Sequence, residues 1–160
     1  ENALAYTGGN IVIVQSLLDN VKSENELAFV IAHEIGHFEH RHLLKNLGRS
    51  LITVGFSILL SGVESSISDK MISFLNISNL SFSREQEIES DEFALSVLNK
   101  MYKHVNGSHE FFNRSKKEES AFSTTYFSTH PLAEDRVQRL IEYSKLHNYS
   151  QNGVLSPWIP

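Results

Sequence analysis

The 160-residue chain contains no cysteine. That excludes disulfides and any cysteine-ligated metal site, and it leaves the redox compartment open. No apolar run reaches the roughly 20 residues that a membrane span needs. The longest, Leu51 to Val63, falls short. A surplus of positive charge is also missing: the net charge is -5, which argues against a nucleic-acid partner. The chain opens at Glu1 with neither a methionine nor a signal peptide, so it reads as a processed product or an excised domain. Any membrane association would then run through segments outside it. The Asn-x-Ser triplets at Asn76, Asn79, Asn106, Asn113 and Asn148 are what an Asn- and Ser-rich chain produces by chance. With 41% hydrophobic and 21% charged residues, the composition describes one globular domain over residues 1–160.

What is present centres on Ile31-Ala32-His33-Glu34-Ile35-Gly36-His37-Phe38. On a helix, His33 and His37 lie one turn apart on one face, close enough to share a metal ion. Glu34 follows the first histidine, where its carboxylate can reach a water beside the ion without ligating it. Zinc suits neutral imidazole and keeps a position open in catalytic sites. Leu27, Ala28, Phe29, Val30, Ile31, Ala32, Ile35 and Phe38 make the segment apolar nearly all round, which predicts a buried helix. Its two histidines and carboxylate then need partners. Ser23-Glu24-Asn25-Glu26 reads as a capping box, and Gly48 follows a basic last turn with Arg41 and Lys45. The helix is expected over about Glu24 to Leu47.

Upstream, Asn2–Thr7 and Asn10–Gln15 have strand character around Gly8-Gly9, which predicts a hairpin. Its second strand, Ile11 to Val14, is either a plain core strand or an edge on which an extended peptide substrate pairs. Downstream, Leu51–Val63 is expected as a buried helix rather than a membrane-dipping segment, and Ser68 to about Leu80 as a further helix. Ser83-Arg84-Glu85-Gln86 is a second capping-box pattern and opens a helix running to about Lys103. Glu85, Glu89, Glu92, Ser96, Asn99 and Lys103 form its polar stripe. Glu87, Asp91, Ala94, Leu98 and Met101 form the other, so two carboxylates face the core.

An inward carboxylate is costly unless paired or metal-bound. Glu87 is therefore the natural third ligand of a His2Glu site, and Asp91 can fix the tautomer of a ligand imidazole. The competing reading is a buried ion pair with Arg41 or Arg84. A helix is expected over about His109 to Glu119, followed by a loop from Ala121 to Thr129. Pro131 then starts a last helix with Leu132, Ala133, Arg136, Val137, Leu140 and Ile141 inward. Inward Arg136 either serves the site or pairs with a carboxylate such as Asp91.

The ordered set of Gly8-Gly9, His33-Glu34-Ile35-Gly36-His37, Ser83-Arg84-x-x-Glu87-x-x-Ser90-Asp91 and Ser128-Thr129-His130-Pro131 with Arg136 resembles the HtpX-like and CAAX-prenyl-protease-type zinc endopeptidases, which are gluzincins. The likeness runs from about Asn2 to Leu140. Ser90 departs from a pattern that often has alanine there. The resemblance implies one zinc held by His33, His37 and Glu87, with Glu34 as catalytic base and His130 and Arg136 flanking the site. It also implies a bacterial periplasmic or membrane-associated setting and a part in cell-envelope protein quality control. The expected fold is a mainly helical α+β zincin with a small sheet beside the active-site helix. The expected activity is internal cleavage of protein substrates.

Rival ligand sets fit less well. A metzincin needs glycine at position 40 and histidine at 43, where the chain has His40 and Leu43. A thermolysin-like third glutamate would fall within Leu51–Val63, which has no carboxylate, and Glu64 sits in a Gly/Ser break. His40 and His42 read as helix-end histidines. The alternative functions are a chaperone-like module that binds without cleaving, which would have no use for Glu34, and a zinc hydrolase of non-peptide amides.

Overall fold

The computed structural model describes residues 4–6, 10–61, 81–115, 126–131 and 135–159, and these are mostly helical. Strands β1 (Leu4–Tyr6) and β2 (Asn10–Val12) pair antiparallel, with Leu4 opposite Val12 and Tyr6 opposite Asn10. Strand β2 is shorter than the β-branched run suggested. Val14 instead caps a helix, α1 (Gln15–Asn20), whose Leu17 is fully buried. Burying Leu17 in the core outweighs the strand preference of the residues before it.

Helix α2 (Glu24–Glu39) starts at Ser23, whose hydroxyl accepts from the Glu26 amide. The Glu26 carboxylate does not return to the Ser23 amide. It accepts from the Lys22 amide at 2.9 Å and pairs with Arg114. Strand β1 packs against this helix. Its burial is wide but incomplete, for Ile35 and Phe38 are exposed.

Three expectations need correction here. The helix does not run on to Leu47. It stops at Glu39, Arg41 takes a left-handed φ of 55°, and a separate helix α3 (His42–Ser61) begins. Neither glycine nor proline marks this break. The Leu51–Val63 run, where described, is not buried: Leu51, Ile52, Phe56, Leu59 and Leu60 are all more than half exposed. Met101, assigned to an inward stripe, is exposed as well, and the core at that end is filled by Leu98, Tyr102 and Val105 instead.

Helix α4 (Arg84–Tyr102) opens with a complete capping box, Ser83 accepting from the Gln86 amide and Gln86 from the Ser83 amide. Its contact with α2 is the most extensive between any two described elements. Gly36 permits it, since a Cβ there would meet the Ser90 Cα at 2.9 Å. Helices α5 (Glu110–Ser115) and α6 (Arg136–Leu146) complete the set of described helices, with a further helical turn at 126–129. The core joins Leu17, Phe29, Val30, Leu95, Leu98, Phe111, Phe112 and Leu140. The tail lies back over the start of α2, with the Glu24 amide donating to Ser156 O and Trp158 Nε1 to Leu18 O. The expected helices over Ser68–Leu80 and beyond Ser115, together with Glu64, lie outside the described residues.

Candidate metal centre

The one-turn spacing on α2 sets the His33 and His37 imidazoles side by side, with their Nε2 atoms 3.0 Å apart. From α4, Glu87 turns its carboxylate to the same point, 3.3 Å from His37 Nε2 and 3.5 Å from His33 Nε2. His130 closes the group from the turn after Tyr126. Its Nδ1 lies 3.1 Å from Glu87 Oε1 and 3.4 Å from His33 Nε2. One donor atom from each of these four buried residues falls within 4.8 Å of all the others. The Tyr126 ring stacks on His130 at 4.7 Å and Phe82 on His37 at 3.8 Å, so the imidazoles are held by packing as well as by polar contacts.

Behind His33, Asp91 Oδ1 lies 2.9 Å from Nδ1. Asp91 is in turn gripped by Arg136, whose Nε donates to Oδ2 at 2.9 Å and Nη2 to Oδ1 at 2.7 Å. Arg136 Nη1 reaches Glu87 Oε2 at 2.7 Å, and the guanidinium carbon sits 4.5 Å above the Phe112 ring. The guanidinium therefore stands behind the Asp91 and Glu87 carboxylates, 1% exposed and already engaged. Glu34 is also buried, and its Oε1 has no hydrogen-bond partner among the described residues; His130 Nε2 is 3.5 Å away.

One further residue belongs to the cluster that spacing did not single out. His42 is fully buried, its Nδ1 3.0 Å from His37 Nδ1 and its Nε2 2.8 Å from Glu89 Oε2. It lies five positions after His37, which is off the helical period, so only the break at Arg41 turns it back toward the site. No local sequence signal marks that reversal.

The electrostatics ask for a cation. Glu34, Glu87 and Asp91 are buried together against one buried guanidinium, that of Arg136. Burial alone would depress His33, but the hydrogen bonds and charges of Asp91 and Glu87 outweigh it and raise its pKa to about 9. His37, without such a carboxylate behind it, is pushed by burial down to about 2. Burial penalises the Glu87 carboxylate, yet hydrogen bonds from His130 and His33 hold it well below the usual range. Burial pushes Glu34 up. Two imidazole nitrogens face to face, a carboxylate among them and an orphaned oxygen nearby form a donor set that a divalent ion would satisfy.

Comparison with known proteins adds an independent finding. Residues 1–144 match the profile of peptidase family M48. A putative β-barrel assembly-enhancing protease of Vibrio cholerae is 32% identical over 151 residues, covering 85% of this chain and 31% of that protein. Metalloprotease LoiP of Escherichia coli is 28% identical over 144 residues, covering 87% of this chain and 57% of LoiP. The mitochondrial metalloendopeptidase OMA1 of Arabidopsis thaliana is 29% identical over 143 residues, covering 88% of this chain and 29% of OMA1. The chain thus spans between about a third and just over half of the length of these relatives.

Proposed function

The chain belongs to peptidase family M48, and from that premise we propose that residues 1–160 form a single zincin-type catalytic domain, a zinc-dependent endopeptidase that cleaves protein substrates internally. The observation that carries the reading is the buried convergence of His33, His37 and Glu87 beside a Glu34 carboxylate with an unsatisfied oxygen. His33, His37 and Glu87 would hold one zinc. The ion, when bound, supplies Lewis-acid polarisation of the scissile carbonyl and of the attacking water.

This chain's residues do the rest. Glu34 takes a proton from the attacking water and returns it to the leaving amine, and the upward push of burial brings its carboxyl nearer to working pH. His130, held face-on by Tyr126, is the donor best set to meet the developing oxyanion. Asp91 keeps the His33 proton on Nδ1, leaving Nε2 free for the metal. Arg136 acts by fixing Asp91 and Glu87, and the pairing with Asp91 is one of the two parts the sequence left open for it.

For the substrate, β2 supports strand addition. Val12 and Ile13 are exposed, and among the described residues β2 has β1 as its sole strand neighbour. The Vibrio cholerae relative is named for β-barrel assembly, and on that likeness we assign this domain to cell-envelope protein quality control.

The test pairs elemental analysis with cleavage of casein. The purified protein should carry one zinc and cut casein, while Glu34→Gln should keep the zinc and lose about 100-fold or more in rate. A zinc-loaded Glu34→Gln protein cleaving at the original rate would sink the mechanism. Zinc binding with no cleavage by the unmodified protein would favour a binding module.

A further inference from the structure

The two histidine ligands are supported differently, and the second support has no place in the mechanism above. His33 is backed by the buried Asp91. His37 is backed by another imidazole, that of His42, through a contact between two Nδ1 atoms at 3.0 Å. Between two such nitrogens only one can carry the hydrogen. His37 Nε2 points into the cluster, 3.0 Å from His33 Nε2 and 3.3 Å from Glu87 Oε1, so ligation uses its Nε2 lone pair and confines its proton to Nδ1. His37 Nδ1 then donates, and His42 Nδ1 must accept. The His42 proton is driven to Nε2, where the Glu89 carboxylate waits at 2.8 Å. Every hydrogen in the row is fixed by the first. The Ser90 hydroxyl, 3.5 Å from His42 Nδ1, is the other polar group there and is more distant than His37.

The row also has an end. The His42 side chain is fully buried, but Glu89 is half exposed, so the chain of contacts runs from the metal cluster to solvent along the face where α3 leaves α2. His40 stacks on His42 at 5.4 Å and holds the ring plane from one side.

We propose that His42 is a positioning residue of the metal centre, accepting the His37 Nδ1 hydrogen and handing its own to Glu89, so that His37 stays oriented with Nε2 toward the metal. This rests on the metal-centre reading above and extends it to a ligand support that the helical spacing does not reveal. Outer-shell partners of this kind typically alter metal affinity roughly 10–100-fold. The geometry also makes His42 replaceable in part. Asparagine at 42 can set an amide oxygen where Nδ1 stood, restoring the acceptor for His37 while losing the link to Glu89.

The experiment uses the full chain, zinc, and a chromophoric chelator as competitor. His42→Ala should weaken zinc binding about 10–100-fold, and His42→Asn should recover most of that loss. Glu89→Ala should produce a smaller weakening in the same direction. In zinc-loaded protein labelled with nitrogen-15 histidine, long-range proton–nitrogen spectra should show His42 protonated on Nε2 and bare on Nδ1. A merely structural histidine would lower the melting temperature with and without zinc and leave the affinity unmoved. Unchanged affinity in His42→Ala, or His42 protonated on Nδ1 with zinc bound, overturns the proposal. Should His42→Ala fail to fold, the spectra of the unmodified protein and the Glu89→Ala titration decide. If the unmodified protein binds no zinc, the metal-centre reading itself fails. If it binds zinc and His33→Ala abolishes binding while the His42 outcomes are negative, this proposal alone fails.

Discussion

Gly36 offers the sharpest test of how the fold builds the centre. It lies where α2 and α4 approach most closely, and a methyl group there would meet the Ser90 Cα at 2.9 Å, the Ser90 carbonyl at 3.2 Å and the Phe93 Cβ at 3.3 Å. Two of these three are backbone atoms, so no side chain can swing aside. Reaching ordinary van der Waals distance requires the helices to part by about half an ångström. Overpacking of this kind costs roughly 1–3 kcal/mol. Replacing glycine by alanine inside a helix returns about 1 kcal/mol. The net expected for Gly36→Ala is a loss of about 0–2 kcal/mol, a fall in Tm of no more than about 8 °C for a chain this size.

The metal should feel the change far more. Glu87 comes from α4 and both histidines from α2, and metal–ligand distances tolerate only about 0.2 Å. Zinc affinity should therefore drop tenfold or more, on the scale of outer-shell substitutions, while the fold survives. Chelator competition beside melting curves of the metal-free protein measures both. A Gly36→Ala protein with raised Tm and unchanged zinc affinity would refute the argument, because it would mean the helices are not in contact at Gly36.

One further substitution and one titration follow from the same geometry. Arg136→Met leaves the buried Asp91 with the protonated His33 as its remaining counter-charge and should cost the metal-free protein up to roughly 3–5 kcal/mol in urea denaturation, with the double change Arg136→Met, Asp91→Leu recovering much of it; a fall in kcat with no loss of stability would instead make Arg136 a direct substrate contact. Because Asp91 and Glu87 overcome burial and raise His33 to about 9, that ring is protonated at pH 7.5 without metal and must be neutral to ligate. Zinc binding at that pH should expel about one proton, and the apparent affinity should climb with pH until about 9 and then level off. Calorimetry in buffers of different ionisation heat reads the proton directly, and no dependence on buffer would contradict the assignment.

The parts of this architecture legible in the sequence are those fixed by spacing within one helix. His33 and His37 share a face because they are four apart, and Glu87 and Asp91 turn inward because they are four apart on a helix opened by the Ser83 box. The Leu51–Val63 run misled because an apolar segment is ordinarily read as buried, whereas α3 leaves Leu51, Ile52, Phe56, Leu59 and Leu60 uncovered by the rest of the described chain. The break between α2 and α3 was invisible because the helical pattern continues through it, and the residue taking the left-handed turn is Arg41, with no glycine to announce it. That single reversal is what brings His42 to His37, so a site residue was hidden with the turn that places it.

The break also explains how a cluster so polar can sit inside so small a domain. Phe29 and Val30 of α2 and Leu95 and Leu98 of α4 belong to one buried apolar core. It fixes the two helices at the separation Gly36 allows, and the ligand side chains inherit that separation. Around them, a buried carboxylate backs His33 and a solvent-reaching row backs His37, so the cluster is anchored once to the core and once to the surface. Metal-free, the anchored carboxylates repel one another and are held in check by Arg136 and a protonated His33. A ligand that binds only the folded state at a thousand times its Kd adds about 4 kcal/mol to stability, of the same order as the Arg136–Asp91 pair. On this reasoning a metal held by His33, His37 and Glu87 would share with the arginine the task of offsetting the buried carboxylates, and removing either should make the protein more dependent on the other.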